Sequence, residues 1–109
     1  MDEAKYENAM QIILHAGNAR SAALMAIDDA AEGDFTAADA HLVEAQNELR
    51  DAHERQFSLI QSEVNGAPVD VSVILVHAQD HLSMAIMAGD LAERMVEMHR
   101  RLARLEASA

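Results

Sequence analysis

The chain has 109 residues, half of them apolar, which fits one domain with a modest core. With 19 acidic against 8 basic side chains, its formal charge of −11 repels phosphate backbones and anionic lipid, so nucleic acid and membrane surfaces are poor partners. There is no cysteine for a disulfide framework, no apolar run near the ~18 residues of a membrane span, and no signal-peptide pattern in Met1-Asp2-Glu3-Ala4-Lys5, so a cytoplasmic location is expected.

Ala, Leu, Met and Glu dominate, and these lose little rotamer freedom in a helix. Only Tyr6, Phe35 and Phe57 are aromatic. The composition therefore predicts an all-α fold. Gly33-Asp34 and Gly66-Ala67-Pro68 cut the chain into three long helices, roughly 2–31, 36–64 and 70–105. In the first, Tyr6, Ala9, Ile13, Ala16, Ala23, Ile27 and Ala30 form one apolar stripe, interrupted by Arg20. Gly17 is expected to admit a closely packed neighbouring helix, and Gly33 to stop the helix as a left-handed cap. Arg20 is expected to pair with an acidic group, the other reading being an anchor near a phosphate.

The second helix is expected to start near Thr36, with Thr36 and Asp39 resembling a capping box. Phe35, Ala38, Leu42, Ala45, Leu49, Ala52, Gln56 and Leu59 keep a 3-4 spacing. Glu44, Glu48, Asp51 and Glu54 read as a solvated face. The third helix follows Pro68, with the stripe Ile74, His77, His81, Met84, Ala88, Leu91, Met95, Met98, Leu102 and Leu105. Met84, Met87, Met95 and Met98 are expected in the core, and Glu106–Ala109 to fray. Three rods this long enclose little interior, and 3-4 seams pack on other seams, so self-association is expected.

Two histidines on an otherwise apolar stripe are the oddest local feature. In Val76-His77-Ala78-Gln79-Asp80-His81-Leu82, helical spacing gathers His77, Asp80 and His81 on one side and sends Gln79 elsewhere. Three readings stand open. The histidines can be satisfied interface or core residues. His77, Asp80 and His81 can hold a metal, which needs further ligands. Or His77 can be a nucleophile, since a neutral imidazole of reference pKa ~6.5 offers a ring-nitrogen lone pair that attacks phosphorus and forms a phosphoramidate.

Beyond this segment, Gly17-Asn18-Ala19-Arg20-Ser21, Ala31-Glu32-Gly33-Asp34-Phe35, Ala38-Asp39, Glu44-Ala45, Ala52-His53 with Gln56, and Leu59-Ile60-Gln61-Ser62-Glu63 complete a pattern. Together, from roughly Ala9 to Arg101, they resemble the enzyme IIA component of the lactose/cellobiose family of the bacterial sugar phosphotransferase system. The resemblance implies three antiparallel helices per subunit and a homotrimeric nine-helix bundle. It implies that His77 takes phosphate from phospho-HPr and passes it to a cysteine of the IIB component, which phosphorylates the sugar imported by the membrane IIC component. On the same footing, Asp80 faces the trimer axis and can help bind a divalent ion such as Mg²⁺, and His81 is a supporting residue beside the site. Ser83 stands where Met is common, and Phe57 where Thr is common. The sugar, of lactose, cellobiose or chitobiose type, is recognised by the membrane component. The competing reading is a non-catalytic trimeric scaffold or metal-binding bundle. His15, His41, His53 and His99 have no assigned role.

Overall fold

The computed structural model describes residues 3–109. Three helices follow one another: α1 (Glu3–Ala31), α2 (Phe35–Val64) and α3 (Val73–Ser108). Residue 2, where the first helix was expected to start, lies outside the described residues.

Each helix begins where a side chain can take up a free backbone N–H. Asp34, not Thr36, caps α2: its carboxylate accepts from the Ala37 N–H at 3.1 Å. A carboxylate also suits the positive end of the helix dipole, which is why it displaces the weaker Thr36 cap. Ser72 caps α3 from extended backbone, accepting from Leu75 N–H at 3.2 Å, so the helix starts at Val73 and not at residue 70. The bond from the Ala109 N–H to the Glu106 carbonyl and the Ser108 hydroxyl on the Arg104 carbonyl hold the last turn, which is helical and not frayed. Gly33 and Gly66 take φ of 83° and 88°, the left-handed conformation that ends α1 and α2.

The interior consists largely of alanine. Ala9, Ala16, Ala23 and Ala30 on α1, Ala38, Ala45 and Ala52 on α2, and Ala78, Ala85 and Ala92 on α3 are all buried, each set spaced by seven. A seven-residue repeat keeps one seam facing its partner through a left-handed supercoil, and a methyl side chain lets the backbones approach closely. Ile12, Leu82 and Val96 are the largest fully buried side chains. The core runs in three clusters. Ala9 to Ala19 meet Ala52 and Ala78 to Ala85; Ala22 and Ala23 meet Ala45 and Ala92; Ala26 and Ala30 meet Ala38 and Val96. Numbers rise together in α1 and α3 and fall in α2, so the chain runs up, down and up, with α1 parallel to α3. The result is a rod of 61 × 22 × 19 Å.

Two expectations for α1 are corrected. Nothing lies within 4 Å of where a Gly17 Cβ would stand, so no helix of the subunit packs there. The close approach is instead at Gly89, whose added Cβ would meet Leu49 Cδ1 at 3.1 Å. Arg20 is exposed, and no ion pair among the described residues includes it.

The α3 stripe is corrected too. α3 buries Ala78, Leu82, Ala85, Ala92 and Val96, while Met84, Met87, Leu91, Met95, Met98, Leu102 and Leu105 face outward. Met98 is 61% exposed and Leu105 68%. These methionines are not core. The helix has two apolar faces, and the more regular one in sequence is the one that its own subunit leaves uncovered.

Candidate functional site

Histidines populate both sides of the rod, in different company. His15 on α1 reaches α2 with both ring nitrogens: Nδ1 is 2.6 Å from Glu48 Oε2, and Nε2 is 3.3 Å from Asp51 Oδ1. Arg55 Nε donates to the same Asp51 oxygen at 2.8 Å. His41 Nδ1 lies 2.5 Å from Asp29 Oδ2. These two pairs clamp α1 to α2, so His15 and His41 are structural, and Glu48 and Asp51 are partners rather than a free solvated face. Glu44 and Glu54 remain exposed.

His77 differs. It sits on the second turn of α3, exposed, with no carboxylate partner among the printed ion pairs of the described residues. Its Nε2 faces the Nε2 of half-buried His81 at 3.1 Å. The rings meet edge to face, with centroids 4.5 Å apart and planes at 82°. Two ring nitrogens at that distance share one hydrogen: one donates, the other offers its lone pair. Beneath them Ala78 and Leu82 are fully buried, so the turn carrying both histidines is anchored in the core. Gln79 points to α2, where its side-chain oxygen accepts from Gln56 Nε2. Helical spacing thus brings His77 and His81 together, as expected, and separates Gln79.

Asp80 is exposed on the same uncovered face. Among the described residues no three His, Cys, Asp or Glu side chains are grouped to hold a metal. One subunit therefore does not fit the metal reading of His77, Asp80 and His81. The bland reading fails on burial: His77 is at the surface. What remains is a reachable imidazole on a rigid turn, with a second imidazole to fix its tautomer.

Residues 7–100 match the family described as "PTS system, Lactose/Cellobiose specific IIA subunit". The chain belongs to the lactose/cellobiose-specific IIA family. It is therefore a phosphoryl carrier of the sugar phosphotransferase system that works through a phosphohistidine, and the scaffold reading gives way. Among its relatives, the lichenan-specific phosphotransferase enzyme IIA component of Bacillus subtilis (strain 168) is 40% identical over 94% of this chain and 93% of that protein. The cellobiose-specific enzyme IIA of Bacillus anthracis superposes with a TM-score of 0.91 at 38% identity, covering 95% of each chain. The diacetylchitobiose IIA of Escherichia coli, solved in complex with HPr, superposes at 0.80 with 36% identity over 94% of this chain and 99% of that one. Three different sugars label three similar IIA folds. No described helix of this IIA chain is long and apolar enough to cross a membrane.

Proposed function

We propose that His77 is the residue of this IIA protein that carries the phosphoryl group. The observation supporting it is the exposed His77 ring, held at 3.1 Å by His81 on a turn whose inner side is locked in the core. In the accepting step, a His77 ring nitrogen attacks phosphorus of phospho-HPr. The new N–P bond forms as the donor's N–P bond breaks, and the electron pair stays on the donor's ring. In the giving step, a thiolate of the IIB component attacks phosphorus, an S–P bond forms, and the pair returns to His77. When His81 donates to the His77 nitrogen, it fixes the tautomer. When phosphorus takes that lone pair, the same N–H is free to donate to a phosphoryl oxygen, which needs such donors. HPr as donor follows from the relative solved with it, and IIB and the membrane IIC component follow from the family. A cytoplasmic location fits this role.

The finer assembly reading is a homotrimer, in which three α3 faces close on one axis. The uncovered run of Met84, Met87, Leu91, Met95, Met98, Leu102 and Leu105 supports it, since a seam of this spacing packs on seams like itself. Asp80 then comes from each copy to one axis. Three like charges there repel unless protons or a cation intervene, so a divalent ion such as Mg²⁺ would serve assembly and take no part in the transfer.

Incubation with phosphoenolpyruvate, enzyme I and HPr should add about 80 Da of acid-labile, base-stable mass to the wild type. His77→Ala should gain none. Labelling of that variant at the wild-type level would move the site elsewhere.

A further inference from the structure

The uncovered face of α3 has two edges, and the contacts show what borders each. Gln79, Ile86, Glu93 and Arg100, spaced by seven, all turn to α2. Gln79 bonds Gln56; Ile86 lines a groove with Leu49, Arg50 and His53; Glu93 accepts from Gln46; Arg100 bonds Asp39. The opposite edge borders α1. Ala88 packs with Ala22, Ala23 and Ile27, and His99 lines a pocket with Ala30, Ala31 and Glu32. His81 lies eighteen residues before His99, which is five helical turns and therefore the same edge. His77 and His81 are thus on the α1 edge, with Asp80, Met84, Leu91 and Met98 between the edges.

A closed rotation about that middle line has one consequence. In cyclic assemblies the contact is head to tail, so the α1 edge of each copy meets the α2 edge of the next, at equal height along the axis. At the height of His81, the α2 edge presents Phe57. It follows His53 by one turn on the groove side of α2, between the rungs made by the Gln56–Gln79 and His53–Ile86 pairs. Phe57 is 52% exposed in the lone subunit, so half of an aromatic ring awaits cover.

We propose that Phe57 of one copy covers the His77–His81 pair of the next, so that each phosphoryl site is completed by a neighbouring subunit. The inference rests on the trimeric assembly and on His77 as carrier, proposed above. A second copy is the occupant because the face between the edges, beyond Asp80, is an uncharged run in a chain of charge −11, and an identical seam matches it in register. The ring's work is to keep water from the phosphohistidine. Hydrolysis needs a water oxygen on phosphorus, with the N–P pair returning to His77 and inorganic phosphate leaving. An apolar wall on that side slows it without touching the face open to a donor.

The chain's lack of cysteine gives a clean test. The double variant Phe57→Cys, His81→Cys, treated with a short bismaleimide, should give covalent dimers and trimers on a denaturing gel. Each single variant should give none. A double variant that sediments as a trimer yet yields no ladder overturns the placement of Phe57. A wild type that sediments as a monomer instead defeats the assembly reading. As a second measurement on folded wild-type-like protein, Phe57→Ala should shorten the lifetime of isolated phosphohistidine several-fold, and Phe57→Leu should keep most of it. An unchanged lifetime in Phe57→Ala, at unchanged trimer content, also overturns the proposal.

Discussion

His81 holds its neighbour with a single shared hydrogen, and replacements that differ only in hydrogen bonding isolate that role. Gln at position 81 keeps an N–H donor; Ala does not. We expect His81→Gln to retain most of the transfer rate from HPr to His77, and His81→Ala to lose about ten-fold or more, the low end of what a positioned proton donor contributes. Stopped-flow loading with phospho-HPr measures both, and equal rates would dismiss His81 as a mere spacer. Asp80 gives a different readout. If three carboxylates converge, added Mg²⁺ should raise the melting temperature of the wild type, and Asp80→Leu should abolish the response. A response that persists in the variant would place the ion elsewhere. Both histidines and Asp80 were legible in the sequence because four-residue spacing on a helix fixes who shares a face. His15 and His41 were not, because their partners lie 33 and 12 residues away on another helix. Pairing across helices depends on register, which local spacing does not encode.

At the level of the helices, punctuation was read well and chemistry at the ends less so. Glycine at positions 33 and 66 marked both turns, since only there does φ become positive. The cap of α2 was misplaced by two residues, because both Asp34 and Thr36 can accept an N–H and the sequence does not weigh them. Removing the true cap with Asp34→Ala should cost about 0.5–2 kcal/mol in a denaturant titration, while Thr36→Ala should cost much less. The seam of α2 was correct; that of α3 was correct as a pattern and wrong as to which side it faced. Alanine explains the error. Ala78, Ala85 and Ala92 weigh little on any hydrophobicity reading, yet they form the inner seam, and the eye follows Met and Leu to the outer one.

For the whole rod, length against thickness decides the assembly. An uncovered run of large apolar side chains along a helix about 54 Å long is more than a monomer of this size ordinarily leaves wet. Leu91→Glu puts a charge in the middle of that run, on the far side of the helix from buried Ala92. We expect it to reduce the sedimentation mass to that of one subunit while leaving helicity unchanged. A variant still at three times the subunit mass would show that copies meet through another face. Self-association was legible from the ratio of seam to volume, but its direction needed the folded subunit, since only packing reveals which seam is spent.

The ladders of alanine also bear on how such a chain can vary. A GCN codon altered at one base gives Gly, Ser, Thr, Pro, Val, Asp or Glu. Each of these either breaks the helix, strands a polar group among methyls, or adds volume where backbones already touch. Lineages that remodel this interior must therefore change facing positions in concert, whereas the outward seams are free to drift and to sort one set of partners from another.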